Sequence, residues 1–345
     1  MTLIIRFFII SILFVSYLSS FDIPLSYKYE MSFGYDDNFM RFSNFEIDSY
    51  DTQNSYLGDA KTYDSAILSN AVQLKLSSKL KTYQTNTIVR LKHNYYSSSS
   101  SKSYSSFLGR FEFKLAPYSW IKLSYSLLPN YYLRTYIDRD LSSSDYHPCF
   151  FSNETAYVSY SHKIPVNKTW LDYRFIINNQ FYNQNFTEYD SEIKGFEGTL
   201  KSKFIKSYYI TLTYLYYISD NISYNSSSIP ESTKMDRSYI KNGFKFNLKK
   251  TLKDKIISSL GFKFYFNQRV YDLDSWYYES DNWKVYSDYD LRLEISKKIN
   301  NIDAKISFRH FFREVSSSES DEIIWTEDYK NHSRNELWLK LGYNF

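Results

Sequence analysis

Three residue types on which many protein classes depend are scarce in this chain. Its 345 residues include 1 Cys, 6 Pro and 8 Gly. The single cysteine, Cys149, excludes a disulfide framework within one chain and a thiolate metal cluster. Long apolar runs are also lacking, because only the N-terminus approaches the length of about 20 residues that a helical span needs. The sequence therefore describes neither a disulfide-stapled domain nor a helical membrane protein.

Aromatic residues, by contrast, are abundant. The chain contains 37 Tyr, 27 Phe and 6 Trp, whereas disordered chains carry few aromatic residues. Its mean hydropathy is nevertheless negative, at -0.49. Two classes combine many aromatic residues with a hydrophilic average: a large soluble β protein and a β-barrel that crosses a membrane.

The N-terminal segment separates these two classes. Arg6 precedes an apolar stretch from Phe7 to Leu18, and two serines follow it. A positive residue, a short apolar core and a small-residue exit predict a secretory signal peptide over 1–20. A membrane anchor is the alternative, but the apolar core is shorter than the ~20 residues that spanning requires. We therefore expect an exported chain whose mature part, 21–345, is a single β-barrel.

Alternation of apolar and polar residues runs through most of the chain and predicts an all-β fold. In the last segment, Leu337, Leu339 and Leu341 alternate with more polar neighbours. The predicted strands lie at 25–35, 66–76, 83–95, 107–115, 121–127, 156–160, 171–181, 196–204, 208–218, 240–248, 256–270, 283–295, 304–313 and 335–345. These fourteen strands predict a transmembrane antiparallel up-and-down barrel, because such barrels have an even number of strands. We end the fifth strand before Pro129, since a closed barrel has no edge for a residue without an N–H donor.

The connections between these strands alternate in length. Short ones, such as 205–207 and 116–120, alternate with long polar ones, such as 36–65, 128–155 and 314–334. Short turns on one side and long loops on the other are typical of an outer-membrane barrel. A soluble sandwich has no reason for this asymmetry.

Charged residues within the predicted strands share one phase of the alternation. We find 20 Lys or Arg and 8 Asp or Glu there, and every one lies opposite the apolar phase. A Lys or Arg facing the bilayer midplane would cost about 2–4 kcal/mol. The charged phase cannot be a dry core, because the cations outnumber the carboxylates and buried charges must be paired. The pattern therefore predicts a lipid-facing apolar side and a wet, basic lumen.

At its last strand, Glu336-Leu337-Trp338-Leu339-Lys340-Leu341-Gly342-Tyr343-Asn344-Phe345, the chain resembles Gram-negative outer-membrane β-barrels. The resemblance implies that Tyr343 and Phe345 belong to the signal read by the barrel assembly machinery. The segment Gly34-Tyr35-Asp36-Asp37-Asn38-Phe39-Met40-Arg41-Phe42-Ser43 also looks like the first strand and turn of β-barrel porin families. Residence in the lipid of the cell outer membrane follows from the same resemblance.

A fourteen-stranded barrel is wide enough to leave an aqueous passage, and rings of Lys and Arg favour anions. We therefore predict a porin-like channel for passive diffusion of small anionic solutes, without a cofactor or a metal. The predicted pore-lining residues are Arg90, Lys92, Arg110, Lys114, Arg174, Lys201, Lys203, Lys245, Lys263, Arg269, Arg292, Lys305, Arg309 and Arg313. The alternative is that these cations pair with the inward carboxylates to stiffen the wall. Those carboxylates are Glu30, Glu112, Asp172, Glu197, Asp288, Asp290, Glu294 and Glu336.

Other functions receive less support. A surface adhesin with binding loops would suit the Tyr-rich loops, although aromatic belts at membrane interfaces explain such residues without a partner. For an outer-membrane enzyme the candidates are His93 and His310, but both fall on the lipid-facing phase and no spacing joins a nucleophile to its base. The acidic loops 36–65, 271–282 and 314–334 could hold divalent cations, but a solvated acidic surface is the favoured interpretation. The dispersed basic residues disfavour nucleic-acid binding.

Overall fold

The structure, a computed structural model, is a closed antiparallel barrel of fourteen strands, which confirms the predicted fold. It describes residues 25–49, 57–80, 82–138, 146–166, 168–205, 207–225, 236–252, 256–272, 283–317 and 330–345. The predicted signal peptide lies outside the described residues. The strands are β1 Leu25–Asp36, β2 Ser65–Leu80, β3 Tyr83–Tyr96, β4 Tyr104–Ala116, β5 Ser119–Ile137, β6 Tyr146–Ile164, β7 Thr169–Tyr182, β8 Ser191–Ile205, β9 Tyr208–Asn221, β10 Tyr239–Thr251, β11 Ser259–Asp272, β12 Trp283–Ile299, β13 Ile302–Ser317 and β14 His332–Asn344.

Each strand pairs with its sequence neighbours, and the barrel closes where β1 meets β14. At this seam Met31 lies opposite Leu341 and Phe33 opposite Leu339, so the two apolar phases match across it. The described parts of the long connections include two short helices: α1, Asn44–Ser49, and a 3-10 helix, Gln184–Tyr189. Within the described part of the chain, no helix is long and apolar enough to cross a membrane.

The apolar and the polar residues that alternate along each strand lie on opposite faces of the barrel wall. Large apolar side chains such as Leu91 (58% exposed), Phe175 (52%) and Leu337 (55%) point outward from the wall. Their neighbours along the strands point into the lumen, because successive side chains of a strand lie on opposite faces. An outward face that is apolar along so many of the described strands is the arrangement that lipid requires.

Strands β5 and β6 are longer than predicted. The expected end of β5 before Pro129 is wrong, because the strand continues to Ile137 with register shifts between Leu128 and Tyr131 and between Tyr132 and Arg134. A bulge releases its residues from the ladder, so proline is tolerated there. The predicted strand 156–160 is likewise only the middle of β6, and the predicted loop 128–155 is mostly strand. Both strands extend beyond the lipid-spanning length of about 9–11 residues.

The prediction that one face of each strand carries no charge does not hold along the full length of the observed strands. Glu154 of β6 lies opposite Leu127 on the outward phase, where it receives a hydrogen bond from Tyr125. Glu192 and Lys194 share the outward phase of β8 and form an ion pair of 3.3 Å. These residues lie toward the end of the wall that carries the long connections. The outward face is therefore uncharged through the middle of the wall, while its outer end is polar.

The first long connection folds back into the barrel instead of leaving it. Phe39, Met40 and Phe42, each at most 2% exposed, pack with Leu57 and Ala60. Tyr132 of β5 completes this cluster, and Tyr96 and Phe150 border it. The barrel thus holds a small apolar core at its outer opening, formed by a loop and the extended end of β5.

Candidate functional site

Ion pairs organise the charged side chains of the lumen. Each of the eight carboxylates predicted to face inward contacts a Lys or an Arg, and seven of them contact two. The pairs are Glu30 with Lys28 and Arg90, Glu112 with Arg110, Asp172 with Lys122 and Lys201, Glu197 with Arg174 and Lys245, Asp288 with Arg269 and Arg313, Asp290 with Arg292 and Arg309, Glu294 with Lys263 and Lys305, and Glu336 with Arg309 and Arg334. The pairing that we considered as the alternative to selectivity is therefore present.

Glu197 of β8 shows how one carboxylate joins its own strand to three others. Its Oε2 accepts a hydrogen bond of 2.9 Å from Arg174 of β7. Its Oε1 accepts hydrogen bonds of 2.8 Å from Lys245 of β10 and from the Tyr217 hydroxyl of β9. Charge-assisted bonds of this kind are stronger than neutral ones. Each such carboxylate therefore ties neighbouring strands together across the inner face of the wall.

Within these pairs the cation is consistently the partner nearer to water. The Glu197 side chain is 6% exposed, whereas its partner Arg174 is 32% exposed. Asp172 is 3% exposed and its partner Lys201 is 46% exposed. The same order holds for the other pairs of the eight carboxylates. In each of these pairs the ammonium or guanidinium group is therefore more exposed than the carboxylate that it contacts.

Aromatic rings support many of these guanidiniums. Arg174 lies 4.5 Å from the centre of the Tyr157 ring, and Arg292 lies 5.1 Å from that of Tyr265. Arg313 lies 5.5 Å from the centre of the Tyr286 ring. A ring face restrains a guanidinium while its N–H edge remains available for a planar oxyanion. The tyrosines of the inner face thus orient the cations rather than leave their own faces open to a solute.

Eleven of the fourteen predicted pore-lining residues form these ion pairs. The other three are Lys92, Lys114 and Lys203, for which the described residues provide no carboxylate partner. Lys114 lies 5.7 Å from the centre of the Trp120 ring, and Lys203 lies 5.1 Å from that of Tyr209. Both lie where β4 and β8 approach the short turns. Lys92 lies on the inward phase of β3, two residues beyond Arg90.

The segment 34–43, which resembles a porin first strand and turn, fastens the outer end of the seam. Asp37 accepts hydrogen bonds from the backbone N–H and the side-chain amide of Asn335, at 2.6 and 2.7 Å. The Asn38 amide donates to the carbonyl oxygens of Phe42, at 2.7 Å, and Ser333, at 2.9 Å. Its oxygen accepts from Phe42 N–H at 2.8 Å. The turn that begins the first loop is thereby attached to the start of β14.

Beyond this turn, helix α1 joins the loop to the opposite wall. Ser43 and Glu46 form a reciprocal capping box, in which each side chain accepts a hydrogen bond from the other's backbone N–H. Glu46 also receives two bonds of 2.8 Å from the guanidinium of Arg134 on β5. Glu46 and Arg134 were outside the predicted site because both lay in predicted loops. The strand alternation that located the predicted site was therefore not followed as far as either residue.

The remaining predicted residues have defined places. Phe345 donates its backbone N–H to the Tyr27 carbonyl at 3.0 Å, and its ring meets that of Tyr343 edge-on at 4.5 Å. His93 bonds the Ser105 hydroxyl at 3.0 Å, and His310 bonds the Asn335 amide oxygen at 2.8 Å.

In the part of the chain that the structure describes, no three His, Cys, Asp or Glu side chains gather as metal ligands. Much of the acidic loops 271–282 and 314–334 lies outside that part.

Comparisons with known proteins give structural neighbours only. No protein-family model matches the chain, and no curated protein matches its sequence. Solved structures with a similar fold include the outer membrane channel DcaP of Acinetobacter baumannii, at 10% identity and a TM-score of 0.46, with 94% of this chain and 97% of that one covered. OccAB1 of the same organism matches at 8% identity and a TM-score of 0.45, covering 94% and 96%. OpdQ of Pseudomonas aeruginosa matches at 10% identity and a TM-score of 0.39, covering 94% and 99%.

Proposed function

We propose that this chain is a porin-like channel of the cell outer membrane through which small anionic solutes diffuse. The proposal includes export by the signal peptide 1–20, assembly through the C-terminal strand with Tyr343 and Phe345, and no enzymatic activity. The observation that carries it is the order of exposure in the lumen, where the cation of each pair stands in front of its carboxylate. An anion therefore passes close to positive charge, while a cation is kept from the carboxylates.

The charge balance supports the same direction of selectivity. Twenty Lys and Arg residues share the inward phase of the predicted strands with eight Asp and Glu residues. Pairing removes the field of one cation for each carboxylate but leaves the rest uncompensated. Arginines held on tyrosine rings add bidentate donors that suit carboxylate and phosphate groups.

Ion selectivity of the refolded full-length protein in a planar lipid bilayer tests the proposal. In a gradient of potassium chloride we expect a reversal potential of the sign that reports anion preference. Changing Lys201 and Lys245 together to Glu should reduce that preference strongly, because both ammonium groups face the lumen water. Lys61→Glu is the matched control, since Lys61 is an exposed residue of the first loop. Cation preference of the unmodified protein, or the absence of any unitary conductance, would contradict the proposal.

A further inference from the structure

Two lysines interrupt the apolar outward face at the end of the wall that carries the short turns. Among the described strands, a Lys or Arg falls on the outward phase only at Lys194, Lys250 and Lys297, as the strand pairing shows. Lys194 lies toward the long connections and is paired with Glu192. Lys250 and Lys297 lie near the ends of β10 and β12, beside the turns that follow. In the described strands, positive charge at this end of the outward face is therefore confined to one sector of the barrel.

The same sector carries an apolar groove on its outward face. The groove has a volume of about 380 Å³, within the range of about 300–1,000 Å³ that small-molecule pockets have. Two level rows of outward side chains line it, which are Lys250, Leu260 and Ile295 near the turns and Leu248, Phe262 and Leu293 one step farther from them. The groove can therefore hold an elongated apolar group that ends beside an ammonium.

The charge at the end of the groove is that of Lys250. Its Nζ lies 5.2 Å from the centre of the ring of Tyr208, the residue opposite it on β9. No ion pair joins Lys250 to a carboxylate of the described residues. Glu294 also borders the groove, but its carboxylate is bonded by Lys263 at 2.8 Å and by Lys305 at 2.6 Å, both on the inward phase. The described carboxylates therefore leave the positive charge of Lys250 uncompensated.

Lys297 lies across β11 from Lys250. It follows Ile295 on the outward phase of β12. Because neighbouring strands are ~4.8 Å apart, β10 and β12 are separated by about 10 Å. Two lysine side chains on either side of β11 can approach one phosphate group over that distance. Tyrosine and lysine at the end of a membrane-spanning segment are also typical of the level where lipid headgroups begin.

The position of the groove decides which lipid it meets. The short turns of an outer-membrane barrel face the periplasm, so the groove lies in the inner leaflet, which consists of glycerophospholipids. Each lysine near a membrane surface favours an anionic headgroup by about fivefold in affinity. We propose that this groove is a binding site for one anionic glycerophospholipid, with an acyl chain along Leu248, Phe262 and Leu293 and its phosphate between Lys250 and Lys297. The inference does not depend on conduction through the lumen.

Native mass spectrometry of the refolded full-length protein tests the proposal by counting bound lipids. The protein is released from detergent micelles that contain equal amounts of phosphatidylglycerol and phosphatidylethanolamine with the same acyl chains. We expect one phosphatidylglycerol to be retained, in at least about fivefold preference to phosphatidylethanolamine. Equal retention of the two lipids would overturn the assignment of the headgroup, and gradual uptake of many lipids without saturation at one would overturn the site.

Variants of the lysines test where the headgroup lies. Changing Lys250 and Lys297 together to Gln should weaken phosphatidylglycerol binding about tenfold or more, because two ammonium groups are lost. Lys249→Gln is the matched control, since this neighbour of Lys250 lies on the inward phase opposite Gly261 and should bind like the unmodified protein. A double variant that binds phosphatidylglycerol like Lys249→Gln would overturn the proposed place of the phosphate.

A variant that fills the groove tests the acyl chain separately from the charges. Leu293 and Leu337 are both 55% exposed and lie at one level of the wall, each beside Phe308. Leu293→Trp should weaken phosphatidylglycerol binding several-fold, because the larger ring occupies the groove while both lysines remain, and Leu337→Trp should leave binding unchanged. Equal binding by the two tryptophan variants would overturn the groove as the place of the chain.

Folding and self-association are checked on the same samples. Each variant must show the heat-dependent gel mobility of the folded barrel; if the double lysine variant does not, Lys250→Gln alone takes its place, with an expected loss of about fivefold. The mass spectrum also reports the number of protein chains. A dimer or trimer that holds no lipid, and that Leu293→Trp dissociates but Leu337→Trp does not, would show that a second copy covers the groove and would overturn the lipid site.

Discussion

The two faces of the barrel wall are built from the same strands but meet opposite demands. The outward face carries exposed apolar side chains such as Phe308 and Leu337. The inward face carries carboxylates covered by Lys and Arg, with each carboxylate bonded across strands. The difference shows that the wall is held together on its wet side by charge, while its other side is left for lipid.

The largest expected effect comes from placing a charge on the wrong face. Phe308 points outward near the middle of β13, and its neighbour Ser307 lies opposite Glu294 on the inward phase. Phe308→Arg should lower the free energy of unfolding by about 2–4 kcal/mol, because the guanidinium enters hydrocarbon. Ser307→Arg should change it by less than about 1 kcal/mol, since the lumen is wet and Glu294 is near. Reversible urea unfolding in lipid vesicles measures both, and equal losses would contradict the two-face description.

A smaller effect should distinguish a wetted cation from an enclosed one. Lys102, in the loop between β3 and β4, is 1% exposed, bonds the Leu133 carbonyl at 2.8 Å and lies among the rings of Phe39, Tyr131 and Tyr132. Burial lowers the pKa of Lys102 to about 8, against about 10.4 in an unfolded chain. The unfolded chain therefore binds the proton more tightly, so this residue costs stability below pH 8 and the cost disappears as the pH rises toward 10.4.

The measurement is the difference in unfolding free energy between the unmodified protein and Lys102→Met, which has no charge to titrate. That difference should move in favour of the unmodified protein by up to about 3 kcal/mol between pH 8 and pH 10.4. A difference that stays constant over this range would show that Lys102 is not enclosed as described. Lys61→Met, from an exposed position, should show no such change.

The smallest expected effect tests the bonding on the wet face. Glu197→Gln leaves Arg174 and Lys245 without their carboxylate, and it should destabilise the barrel by about 1–2 kcal/mol, less than a fully buried pair because both cations reach water. The same change should increase anion preference in a bilayer. Glu192→Gln, on the outward phase of β8, serves as the control and should do neither. A Glu197→Gln protein with unchanged stability and selectivity would show that these pairs neither stiffen nor tune the lumen.

Much of this architecture could be predicted because a strand repeats every two residues. One uncharged phase located the strands and set which side faces lipid, while the assignment of Arg174, Lys201 and the other cations to the pore stays a prediction. The prediction failed at β5 and β6, which run on through the bulges beside Leu128 and Tyr132 instead of ending there. Two extra residues precede Arg134, and together they restore the even-numbered inward phase of Lys122 and Ser124. Arg134 and Tyr136 were therefore missed because the predicted strand stopped before Pro129.

The pairing of the lumen charges was foreseen only as an alternative. Composition showed that cations outnumber carboxylates, but it did not show that Asp172 and Glu197 would lie behind their partners. That order depends on strand register and on which side chains reach farther from the wall. Lysine and arginine side chains are longer than those of aspartate and glutamate, so they extend past the carboxylates. Side-chain length and strand register therefore decide that the cations are the more exposed partners.

By itself, the sequence determined the number of strands and the lipid-facing phase, since both follow from local periodicity. The tertiary structure alone decided that the first loop folds inward. Asn38 meets Ser333, and Glu46 meets Arg134, across large separations in the chain. The two-residue alternation of a strand reports only on neighbouring residues, so it cannot indicate contacts between residues that lie far apart in the chain. These contacts hold the first loop against the barrel wall, where the local sequence showed only a polar loop.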